Sequence, residues 1–197
     1  MQSDTLIETP VPLGHDQIMA KIQWIATIGV WLSTAAVGLG LIVVFYIFGW
    51  AMTDPNAFAL ELSANLELTP PVSTMFHAQA IATAVIWMIT DILGVIMLMT
   101  VRQLFVGIRT VGIFTRLSAV QLRRIGWLLF SLGPVSIVLN AIAGSLMQYW
   151  ANPTKVSVEI SIEDADIYAI VIGLVIIAVS HIMVSAAQMS EDHNAIV

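Results

Sequence analysis

Asp91 is a carboxylate set within an apolar run at 76–101, and His181 is an imidazole set within another at 166–189. Ionisable groups inside membrane-length apolar segments are costly, so each raises a question of function. Counted at 1.5 Å per residue, Asp91 lies about 22 Å from Phe76, and His181 lies about 22 Å from Asp166. The two side chains are therefore expected to share a depth in the inner half of the bilayer. A hydrogen-bonded Asp91–His181 pair would there offset the cost of burying either group. Two chemistries are open to such a pair. It could relay a proton in a small transporter or channel, or it could clasp two helices without exchanging protons. Ser33, Thr34 and Ser131 are expected at comparable depth.

Other reactive groups do not assemble into a site. Bis-imidazole haem ligation needs two histidines at one depth on facing helices. His77 stands at the outer end of its run, some 20 Å from His181 along the membrane normal at 1.5 Å per residue, and His15 and His193 fall in the terminal segments. No pair qualifies within the chain, so no cofactor is expected, and an axial ligand shared with another subunit stays open. Cysteine is absent, so there is neither a disulfide framework nor a thiolate metal site. No HEXXH sequence, glycine-rich phosphate loop or nucleophile elbow occurs. The expectation is a protein that is not an enzyme and holds no metal.

The elements that would position these residues are transmembrane helices. Apolar residues make up 58% of the 197 and charged residues only 10%, against about 25% charged in soluble domains. A surface so poor in charge must be covered largely by lipid. Four runs reach the ~20 apolar residues that a crossing requires: 24–52, 76–101, 125–150 and 166–189. Trp24 and Trp127 mark one interface, and Trp50, Tyr149, Trp150 and Tyr168 mark the other. The first 20 residues carry Asp4, Glu8 and Asp16 and lack the basic start of a secretory leader, so the first run reads as a retained anchor.

Arg102, Arg109, Arg116, Arg123 and Arg124 all lie at 102–124, a stretch with no acidic residue. The loops at 53–75 and 151–165 are acidic. Basic residues in short loops stay inside, which puts 102–124 and both termini in the cytoplasm. The architecture expected is therefore all-α, with a cytoplasmic segment at 1–23, one four-helix domain at 24–190 and a cytoplasmic tail at 191–197. The arginines are placed to reach anionic headgroups; they do not form the basic face that nucleic acid requires. Helix should continue past the second crossing to about Thr110, break at Gly112 and restart behind an N-cap at Thr115. In the outer loops Val156, Val158, Ile160 and Ile162 alternate, as do Phe58, Leu60 and Leu62. Period-two alternation predicts a small extracytoplasmic β element. On the first crossing Thr34, Ala36, Gly38 and Gly40 form small-xxx-small registers that permit close helix approach, within the bundle or with a partner. Pro134 after Gly133 should kink the third.

The stretch RQLFVGIRTVGIFTRLSAVQLRRIGWLLF (102–130) resembles the bacterial membrane family called domain of unknown function 2975, through Gly112, Phe114, Thr115, Leu122, Arg123, Ile125 and Gly126. The close of the chain (173–197) is similar to that family's ending, an apolar helix followed by an acidic pair and a short apolar tail. Here the tail reads Glu191-Asp192-His193-Asn194-Ala195-Ile196-Val197 and departs from the family's Glu-Asn-Asp-Leu-Thr-Val. The resemblance implies a small four-helix protein of the bacterial inner membrane and no catalytic residue. The function expected is association with other membrane proteins, in a hetero-complex or a homo-oligomer, as an accessory or regulatory subunit. A proton-coupled transporter using Asp91 and His181 is the alternative.

Overall fold

The computed structural model describes residues 15–69, 71–110, 115–154, 158 and 160–194. Five helices account for most of them: α1 (His15–Thr53), α2 (Pro55–Asn65), α3 (His77–Thr110), α4 (Arg116–Ala151) and α5 (Asp164–Asn194). All but α2 contain a stretch long and apolar enough to cross a membrane, namely Ala20–Thr53, His77–Thr110, Arg116–Ala151 and Asp164–Ser185.

Local signals set the helix ends. Thr115 adopts the extended backbone of an N-cap and its side chain accepts from Ser118 N, as the sequence predicts, and α3 runs to Thr110. Gly112, the expected break, lies outside the described residues. Asp166, in the first turn of α5, reaches back to accept from Glu163 N at 3.2 Å, the reciprocal half of a capping box. Pro134 sits inside α4, where it removes one backbone donor.

No strand of the expected β element forms among the described residues. Residues 55–65, which include the alternating Phe58, Leu60 and Leu62, are helical, because Asp54 caps Ala57 N at 3.0 Å and Pro55 occupies the first turn. Phe58, Ala59, Leu62 and Ser63 are then the buried face of that helix, at helical spacing. In the other loop Val158, Ile160 and Ile162 are exposed and not in a strand, and 155–157 and 159 lie outside the described residues.

The helices stand in a row. α1 packs on α3, α3 on α4 and α4 on α5, and no comparable interface joins α5 to α1 or to α3. On α1 the seam toward α3 is Ala26, Gly29, Ser33, Gly40, Val44 and Ala51, near-heptad spacing that keeps one stripe on its neighbour. A Cβ on Gly40 would stand 3.0 Å from Val95 Cγ2, and one on Gly29 would strike the Phe105 ring. The α4–α5 seam is closer still. A Cβ on Gly173 would lie 2.5 Å from Phe130 N, and one on Gly133 would lie 2.6 Å from Asp166 O, so backbone meets backbone.

That seam also fixes the stagger. Asp166 accepts a hydrogen bond from Ser136, whose single proton is shared with Gly133 O at 2.8 Å. The start of α5 thus lies beside Ser136, and α4 runs on to Ala151, about 22 Å further at 1.5 Å per residue. Around this projecting end sits a hydrophobic core built from α2, the ends of α1 and α4, the start of α3 and the 66–76 segment. Trp50 meets Phe58 edge-on there at 5.9 Å, and Asn56 Oδ1 accepts from Met75 N at 3.0 Å to hold the segment down.

Candidate functional site

Asp91 belongs to the face of α3 that looks at α1. It is four residues from Val95, which touches Gly40, and eleven from Arg102, whose Nε donates to Thr34 Oγ1 at 3.0 Å. Those spacings put all three on one stripe. Asp91 Oδ2 is buried without a hydrogen-bond partner, and so is Trp87 Nε1 one turn away. Acceptor and donor sit on the same face of one helix, yet the two atoms do not bond.

His181 lies elsewhere. It borders a cleft of about 970 Å³ between α3, α4 and α5, lined also by Ile96, Thr100, Arg123, Arg124, Trp127, Leu128 and Ser131. Ile96 and Thr100 occupy the side of α3 turned away from Asp91. They are also five and nine residues further along it, some 8–14 Å at 1.5 Å per residue. The expected Asp91–His181 pair is therefore corrected: no hydrogen bond joins them, and they differ in both facing and depth. Equal depth assumed that Phe76 and Asp166 start their helices at one level. Because α5 starts beside Ser136, midway along α4, His181 is carried inward past the level of Asp91. Ser131 joins His181 in the cleft, whereas Ser33 and Thr34 bond within α1, to Gly29 O at 2.7 Å and Val30 O at 2.7 Å.

The other expected site residues divide in the same way. Of the small residues on α1, Gly40 packs on Val95 and Thr34 receives Arg102. Ala36 is half-buried, and Gly38 is exposed, with nothing within 4 Å of a Cβ built on it. Arg123 and Arg124 enter the cleft. Arg109 lies in the last turn of α3, where its charge favours the helix dipole, and Arg116 opens α4. None of the five arginines forms an ion pair among the described residues, and no group of three His, Asp or Glu there could hold a metal ion.

Sequence inspection missed the cleft and the glycine seam. The seam had a signal: Gly126 and Gly133 are seven apart, hence on one face of α4. The cleft had none, since it depends on the stagger of α5.

Fold and cleft together define a multi-pass, four-span helical protein of membrane type with a basic recess among three of its spans. Comparison with family models, with curated proteins and with solved structures gave no match, so the similarity to domain of unknown function 2975 rests on the residues quoted for it.

Proposed function

We propose that the chain is a non-enzymatic integral protein of the bacterial cytoplasmic membrane that works as an accessory or regulatory subunit, through helix–helix association with other membrane proteins or with a second copy. Both termini and the 111–114 connection lie in the cytoplasm in this proposal, with the arginines of 102–124 as its support. The observation that carries the association is the open row of helices. Within the most apolar stretch of each spanning helix only 11–17% of residues are buried by the chain itself. α1 and α5 each have one packed flank and one free flank. The free side of α1 holds Gly38 beside exposed Trp31 and Phe45, so a neighbouring backbone can approach closely between large side chains. Close approach at small residues is how helices associate where lipid is as apolar as leucine.

A proton-coupled transporter built on Asp91 and His181 has less support, because the stagger of α5 separates the two groups it would have to link. Purification from native membranes into lipid nanodiscs, with mass spectrometry of the intact particle, tests the proposal. A stoichiometric partner or a defined homo-oligomer is expected. A monomer alone, recovered without loss of other membrane proteins, would contradict it.

A further inference from the structure

We propose that the cleft between α3, α4 and α5 is a binding site for one anionic phospholipid. Arg123 and Arg124 would hold the headgroup phosphate, and Ile96, Trp127 and Leu128 would flank an acyl chain. Three observations point there. The first is charge: two guanidinium groups and an imidazole line the cleft, no carboxylate does, and neither arginine has an ion pair among the described residues. Guanidinium groups match phosphate geometry and bind it by charge-assisted hydrogen bonds.

The second is order along the helices. Going inward on α4, Arg123 and Arg124 come first, then Trp127 and Leu128. On antiparallel α3, Thr100 precedes Ile96 in the same direction. Apart from Ser131 at the deep end, whose hydroxyl is turned back onto Leu128 O at 2.9 Å, the wall passes from charged to apolar as a phospholipid does from headgroup to tail. The third is level and size. Arg123 and Arg124 come immediately before Ile125, where the apolar run 125–150 begins, so the basic part of the cleft is at headgroup height. Its volume of about 970 Å³ far exceeds the ~30 Å³ share of a water molecule. Arg102, Arg109 and Arg116 do not line it, so recognition belongs to two of the five arginines and not to a diffuse basic surface. A lipid whose headgroup carries an added cation would meet Arg123 and Arg124 with like charge, which selects net-anionic lipid over zwitterionic lipid. The site is independent of which membrane protein the chain associates with.

Native mass spectrometry of the delipidated full chain, titrated with phosphatidylglycerol and separately with phosphatidylcholine, tests this. One phosphatidylglycerol is expected to bind at least about tenfold more tightly than phosphatidylcholine. Arg123→Gln with Arg124→Gln should weaken it about thirtyfold, and Arg109→Gln with Arg116→Gln should change it less than twofold. Because losing two arginines can misplace α4, Leu128→Trp provides a second route: it fills the apolar part, leaves every charge in place and should also displace the lipid. Equal affinity for both lipids, or equal loss in the Arg109/Arg116 variant, overturns the proposal. So does displacement of phosphatidylglycerol by millimolar inorganic phosphate alone, which would make the cleft a site for the free anion.

Discussion

Replacing Gly173 with alanine puts a methyl carbon 2.5 Å from Phe130 N, 2.8 Å from Phe130 Cα and 2.9 Å from Gly126 O. All three are backbone atoms of α4, so no side-chain rotation relieves the clash. The helices must move apart by about 1 Å to restore ordinary contact, and a gap of 0.5–1 Å already forfeits a quarter to a half of each dispersion well along the seam. Overpacking of this kind costs about 1–3 kcal/mol or more, and the better helix propensity of alanine returns at most about 1 kcal/mol. Gly173→Ala should therefore lose about 1–2 kcal/mol net. For Gly29→Ala the three nearest atoms all belong to the Phe105 ring, a movable side chain, so it should lose less. Gly38→Ala meets nothing and should be neutral or gain up to about 1 kcal/mol. Thermal unfolding of the three variants in one detergent, followed by circular dichroism, gives the order directly. A Gly173→Ala protein as stable as Gly38→Ala would refute a backbone-to-backbone α4–α5 seam.

Two further outcomes follow from contacts elsewhere. In a double-mutant cycle, Asp91→Asn and His181→Ala should show coupling below about 0.5 kcal/mol, as for sites that share no partner; coupling above about 1 kcal/mol in denaturation experiments would restore the pair. Glu67 holds a left-handed φ of 53° where α2 ends, with its N–H on Ala64 O at 3.1 Å and Leu68 N on Ser63 O at 2.9 Å. That is the Schellman position which glycine occupies without strain, so Glu67→Gly should raise stability by about 0.5–1 kcal/mol. An unchanged or lowered melting temperature would count against that geometry.

The spanning helices were legible because a crossing demands a long apolar run, and no other element of this chain supplies one. The Thr115 cap was legible because a short polar side chain acts locally, on the backbone N–H of Ser118 three residues on. Errors arose where a short pattern fitted two periods. Phe58, Leu60 and Leu62 alternate, but Phe58, Ala59, Leu62 and Ser63 also make a helical face, and the Asp54-Pro55 start decides between them. The Asp91–His181 error has a different origin. Depth was counted from each helix start, and only tertiary contact between Ser136 and Asp166 reveals that α5 starts midway along α4. The basic cleft is a product of the same stagger, so it too was hidden from any count along the chain.

Both proposals, the accessory role and the lipid cleft, take the chain to cross the membrane four times with the arginine-bearing connection inside. The native chain has no cysteine, so single thiols report sidedness without background. Ala64, Thr154 and Thr110 are exposed positions, the first in α2, the second after α4 and the third at the end of α3. In intact cells a membrane-impermeant maleimide should label Ala64→Cys and Thr154→Cys and leave Thr110→Cys unmodified until the membrane is opened. Labelling of Thr110→Cys from outside, or protection of either of the other two, would contradict the account.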